Sequence, residues 1–221
     1  MKTRIIFAAA FAAALAGPLQ AQTSLLDKAV ARYEKTSTAH ADFKQTLTNP
    51  LTGSTSISRG VLLRKAPNLL SVTFSGADGD KVVADGKSLW IYSPASAPGQ
   101  VIRLPNSGGR MNSVDPGSQF LVSPRSKYSI KMLGREKIGG RTTQAFELVP
   151  KRQMAFTKAV VWIDASDASV RKFETTDASG LKRVVEILSW KTNVTIPKSA
   201  FRFVPPAGAR IVDQSALSGG R

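Results

Sequence analysis

The 221 residues contain one histidine, His40, and no cysteine. Those two counts settle much of the chemistry open to the chain. Without a thiol there is no disulfide, thiolate zinc site, cysteine nucleophile or lipidated cysteine. With one imidazole, chemistry that needs two histidines is excluded, and a serine triad would have to be built on His40. His40 stands at the start of an expected strand with no nucleophile motif nearby, so it reads as a surface or satisfied histidine. Glycosidase chemistry needs two facing carboxylates. Six of the 15 acids, Asp78, Asp80, Asp85, Asp164, Asp167 and Asp177, fall in expected turns, where turn chemistry accounts for them. The sequence has no phosphate-cradling loop, dinucleotide fingerprint or EF-hand loop. The reading is a protein that is not an enzyme, with no cofactor and no metal.

Charge points to partners rather than to reactions. Lys and Arg number 31 against 15 acids, a formal net charge of +16. That excess favours lipid headgroups, lipopolysaccharide or acidic proteins. Between Pro124 and Arg152 eight bases (Arg125, Lys127, Lys131, Arg135, Lys137, Arg141, Lys151, Arg152) stand against Glu136 and Glu147. A solvated strand face and a docking surface for an anionic membrane or acidic partner are both open readings. Nucleic acid would suit the charge, but export argues against it and no base-stacking aromatics are interleaved.

The export signal is at the start. Lys2 and Arg4 precede an unbroken apolar run from Ile5 to Ala16, and Gly17-Pro18 breaks it before Leu19-Gln20-Ala21. This is the pattern of a secretory signal peptide cut after Ala21, and the run is short of the roughly 20 residues a membrane span needs. Removing two bases leaves 29 against 15, a net +14 on the mature chain. The expected division is 1–21 signal, 22–214 one domain, and 215–221 a frayed tail.

The elements that position any site follow from periodicity. Leu25, Leu26, Ala29, Val30 and Tyr33 recur at helical spacing from Ser24, which can cap the first turn, to near Thr36. Beyond it the period is two. Phe43, Gln45 and Leu47 lie on one face, as do Leu70, Val72 and Phe74, then Tyr128, Ile130 and Met132, then Phe146 and Leu148. Val160 to Ile163 and Val184 to Leu188 are apolar on both faces, as central strands are. With turn signals between the runs, about 10 or 11 strands are expected, in a mainly β antiparallel sheet large enough to curl towards a barrel. Residues 105–124 resist this reading and suit a long loop with one short helix, either functional or disordered. The helix and this segment would cover the concave face, leaving either a tight core or a greasy cavity.

Four strings carry a resemblance. They are His40-Ala41-Asp42-Phe43-Lys44-Gln45, Gly60 to Leu70, Val83 to Pro94, and Phe201 to Val212. In that order, behind a signal peptide, they resemble the periplasmic outer-membrane lipoprotein carrier family, LolA. The resemblance implies a half-open antiparallel barrel whose mouth is closed by helices, with lipoprotein acyl chains bound beneath that lid. It implies a periplasmic shuttle, without cofactor, from an inner-membrane ATP-driven exporter to an outer-membrane acceptor. A relative that carries or senses another amphiphile in the envelope is the alternative.

The cavity face is expected to comprise Leu70, Val72, Phe74, Tyr128, Ile130, Met132, Phe146 and Leu148, joined by Tyr33 from the helix, Phe43 from the entry strand and Phe120 from the lid. Leu70 also falls in the region the family uses to meet its exporter, which makes it the expected partner contact. The family places a lid-latching arginine just before Pro67-Asn68, where this chain has Ala66. Arg64 has the parity of Ala66, and a one-residue shift would face the other side, so Arg64 is the latch candidate. A monomer is expected.

Overall fold

The computed structural model describes residues 17–76, 79–105 and 115–213. The expected leader core and the expected tail lie outside these residues, as does 106–114 of the segment expected to be a loop. Helix α1 spans Gly17–Lys35. It starts upstream of the expected cap, so Ser24 is inside it. Leu26 and Ala29 are buried on its inner face, while Asp27, Lys28, Glu34 and Lys35 are exposed. Thr36 ends it by bonding back to the carbonyls of Arg32 (2.8 Å) and Tyr33 (3.1 Å).

Among the described residues twelve strands follow: β1 Thr38–Thr48, β2 Thr55–Lys65, β3 Leu69–Ser75, β4 Lys81–Asp85, β5 Ser88–Tyr92, β6 Gln100–Pro105, β7 Tyr128–Ile138, β8 Arg141–Pro150, β9 Lys158–Asp164, β10 Val170–Thr176, β11 Lys182–Thr192 and β12 Arg210–Asp213. Helices α2 (Pro116–Leu121) and α3 (Pro124–Lys127) sit between β6 and β7, and a 3₁₀ turn spans Lys198–Phe201. The described strands make one curved sheet in the order β12-β6-β5-β4-β3-β2-β1-β11-β10-β9-β8-β7. All pairings are antiparallel except β12 with β6. Strand β12 takes the count past the expected 10 or 11. Four residues leave too short an alternation to read, and its parallel pairing brings it from the far end of the chain.

Strand β1 lies mid-sheet, with β2 on one side and β11 on the other. The inner faces follow from register. Phe43 stands opposite Gly60 and Ile187, Val72 opposite Leu62 and Val82, and Phe146 opposite Met132 and Val161. Gly60 cannot carry a side chain, because a Cβ there would lie 2.6 Å from both the Phe43 ring and the Thr73 carbonyl. The close approach lets Phe43 lie across β2 and meet Phe74 edge-on at 5.4 Å. Strand β9 is apolar on both faces because two clusters need it. Ala159, Val161 and Ile163 face the main core, while Val160 and Trp162 pack outside with Ala145, Leu133 and Ile138. A register shift between Met132 and Arg135 breaks the β7–β8 ladder beside that outer cluster.

Candidate functional site

The concave side of the sheet encloses a cavity of about 350 Å³. Its wall is the inner face of neighbouring strands: Ala41, Phe43 and Gln45 of β1, Leu62 of β2, Val72 and Phe74 of β3, Phe173 and Thr175 of β10, and Arg183, Val185, Ile187 and Trp190 of β11. Ala29, Arg32 and Tyr33 of α1 and Gln119, Phe120 and Leu121 of α2 cover it, with Ala155 and Phe156 from the β8–β9 loop. The lining is mostly apolar. Among its polar members, Asp177 and Arg183 stand at the β10–β11 end and Arg32 and Asp115 under the helices. Such a space suits hydrocarbon with one polar end.

Of the residues expected at a lipid cavity, Tyr33, Phe43, Val72, Phe74 and Phe120 line it. Leu70, Tyr128, Ile130, Met132, Phe146 and Leu148 do not; they pack in the main core instead. They share the inner face, as their alternation indicates. Period two identifies which way a side chain points, but how far the sheet closes decides whether it meets space or another side chain. Leu70 is 0% exposed, so it presents nothing to a partner, and a charge there would disrupt packing. Lining strands that the sequence reading did not assign to the cavity include β2, β10 and β11. Val185 and Ile187 share the inner face of a run whose Val184 and Leu188 are also apolar, so alternation did not mark which side meets the cavity.

Helix α2 forms because Asp115-Pro116-Gly117 is a helix start. Pro116 occupies the first turn, where a missing N–H costs nothing, and the Asp115 carboxylate accepts from the Gly117 N–H at 3.0 Å. The remaining oxygen of Asp115, Oδ2, accepts from the Tyr33 hydroxyl at 2.7 Å and from Arg64 Nε at 3.0 Å. Arg64 Nη1 also donates to the Thr36 carbonyl at the end of α1, at 2.9 Å, and its guanidinium lies 4.2 Å over the Tyr33 ring. Arg64 therefore joins the C-terminus of α1 to the N-terminus of α2. The pair is buried, with side chains 8% and 3% exposed. Burial, and then the Asp115 carboxylate, push the Tyr33 hydroxyl well above its ordinary pKa.

The far end of α2 is held separately. Lys127 Nζ donates to the carbonyls of Ser118 (3.3 Å) and Gln119 (3.5 Å), and the Tyr128 hydroxyl donates to Gln119 at 2.9 Å. Burial lowers the Lys127 pKa and pushes Tyr128 up to about 12. Between these ends Phe120 points into the cavity, 5.3 Å from the Phe173 ring and 6.0 Å from Phe156. Helix α1 has its own anchor, Arg32 Nη1 to the Asp167 carbonyl in the β9–β10 turn at 3.0 Å. His40 lies half-buried, 3.8 Å from Asp42, and takes no part in the cavity.

The chain that builds this covered apolar cavity has relatives. Residues 34–204 match the profile of the family described as outer membrane lipoprotein carrier protein LolA. An outer-membrane lipoprotein carrier protein of Serratia proteamaculans (strain 568) is 28% identical over 204 residues, covering 88% of this chain and 92% of that protein. One from Sodalis glossinidius (strain morsitans) is 26% identical over 220 residues, covering 97% of this chain and 99% of that protein. The fold matches a crystal structure of an uncharacterized conserved protein from Thermus thermophilus, with a TM-score of 0.57 at 13% identity, over 88% of this chain and 99% of that one. With most of its length matched, and with the lidded cavity on the concave side of a curved antiparallel sheet, the chain belongs to the LolA family.

Proposed function

We propose that this protein is a periplasmic carrier that holds the acyl chains of lipoproteins in its cavity and takes them from the inner to the outer membrane. The observation that carries this reading is the apolar cavity beneath α2, in a chain whose full-length relatives are outer-membrane lipoprotein carriers. The leader is removed after Ala21, and residues 22–214 act as one domain. An inner-membrane ATP-driven exporter loads the cargo and an outer-membrane acceptor receives it. No bond is made or broken.

The physics is a competition. Each methylene taken out of water contributes about 0.8 kcal/mol, so a long chain binds well if it finds room. The cavity, about 350 Å³, is near the lower limit of small-ligand pockets, roughly 300–1,000 Å³. More room requires Phe120 to leave Phe156 and Phe173, and α2 to leave Arg64 and Tyr33. Cargo therefore selects an open lid, and its affinity is reduced by what lid closure gains. That reduction lets a carrier release its load. Arg64 supplies the latch in place of the family arginine, since it bonds both covering helices.

Native mass spectrometry of the protein purified from its own periplasm without detergent tests this reading. A co-purifying acylated polypeptide is expected. Together with that, depletion of the protein should strand lipoproteins in the inner membrane. A small amphiphile alone as the bound species would overturn the lipoprotein assignment in favour of a relative serving another lipid.

A further inference from the structure

We propose that the basic outer surface around the β8–β9 loop docks on an anionic lipid bilayer. Arg125, Lys131, Lys151, Arg152 and Lys158 are exposed there, with Asp27 and Glu147 the nearby acids. Register explains the gathering. Phe146, Leu148 and Ala159 face the core, so Glu147, Val149 and Lys158 face outwards. Lys131 pairs across from Glu147, and Ser129 from Val149, on that same outer face. The β8–β9 loop then carries Lys151 and Arg152 at its start, both exposed. Its backbone is tied to α3, because the Lys151 N–H donates to the Lys127 carbonyl (2.9 Å) and its ammonium to the Arg125 carbonyl (2.7 Å).

Three features favour a bilayer over an acidic protein. First, most of the charge is uncompensated, Arg125 with Asp27 being the ion pair within it. Among the described residues Lys131, Arg152 and Lys158 have no ion pair, whereas across β1, β10 and β11 Lys44 pairs with Glu186 (3.5 Å) and Lys182 with Glu174 (3.1 Å). Second, apolar side chains stand among the bases, Val149 at 42% exposure and Met154 at 38%. Bases at headgroup level with apolar groups just beneath are what a bilayer surface accommodates. Third, the same loop becomes cavity wall at Ala155 and Phe156, and Lys127 holds the end of α2. Docking there would hold the membrane against the loop whose other end is cavity wall.

The test is sedimentation of the cargo-free chain from residue 22 onward with vesicles of phosphatidylcholine alone or mixed with phosphatidylglycerol. Binding is expected only with phosphatidylglycerol, and it should weaken as salt rises. The variant K131Q/R152Q/K158Q should lose affinity roughly 100-fold, given what each base near an anionic surface contributes. A control with the same charge change elsewhere, K81Q/K87Q/K198Q, should keep it. Uptake of a fluorescent fatty acid should be unchanged in both, which separates docking from the cargo reading. Equal binding to both vesicle types would overturn the proposal, as would equal losses in the two variants. Absence of vesicle binding would overturn it too, and retention on an acidic polypeptide would then reassign the surface to a protein partner.

Discussion

Arg64 joins the two helices that cover the cavity. Its guanidinium is nearly dry and donates to Asp115 and to the end of α1. Removing one partner of a buried ion pair strands the other, at about 3–5 kcal/mol. Arg64→Leu is therefore expected to lower stability by about that much in chemical denaturation, whereas Arg64→Leu with Asp115→Leu should cost clearly less than the two single changes summed. Equal additive losses would show that the pair does not act together. Phe120 is the complementary case. Its ring fills space rather than holding a helix, so Phe120→Ala should enlarge the cavity and raise affinity for a fluorescent fatty acid. It should also cost about 3 kcal/mol of stability. At this scale the sequence was half legible. The resemblance implies a latching arginine at the position of Ala66, and Arg64 is the candidate because it shares that position's parity. Its partner Asp115 lies 51 residues away, and only folding joins them. The Asp-Pro helix start at 115–116 was nevertheless a readable signal for the cap.

Helix α2 has six residues and would not persist alone. It exists because both ends are pinned and because Gly117 lets it press onto α1. A Cβ on Gly117 would lie 2.4 Å from the Tyr33 ring, so Gly117→Ala should lift the first turn. The expected result is faster hydrogen exchange across 115–122 with the strands still protected. Alkali should act on the same element. Tyr33 and Tyr128 both have raised pKa values in the folded protein, so each favours folding while the unfolded tyrosine is protonated. That contribution is lost as pH rises above about 10. Unfolding measured across pH 9–12 should steepen above that point, and Tyr33→Phe should flatten part of the slope. The strands themselves were readable because alternation is local. Missing from that reading were β12, which is too short to alternate, and helix α1's start at Gly17, upstream of the expected Ser24 cap.

Across the whole molecule the scarce acids are concentrated in structural work. Burial alone would raise the Asp164 carboxyl, but hydrogen bonds from Arg141, Ser166 and Arg171 outweigh it and hold it well below the usual carboxylate range. Asp85, Asp167 and Asp177 are also lowered, held by bonds from Trp90, Ser169 and Ser179 in or beside their turns. A lowered folded pKa gives stability that is complete above the unfolded value of about 3.9 and is lost as pH falls through the folded one. Thermal stability should thus hold from neutral pH to about 5 and drop below about 4. Asp164→Asn should reduce stability at neutral pH and make the acid limb shallower. The sequence by itself determined the absence of thiol and paired-imidazole chemistry, the curled antiparallel sheet, the inward set of side chains and the family, since composition, period and local strings need no tertiary contact. Tertiary structure alone decided which inward residues border space. Leu70, Tyr128, Phe146 and Leu148 share a face with Val72 and Phe74, yet lie where the core closes. Closure depends on sheet curvature and on where the two helices land, and those are set by residues far apart in the chain.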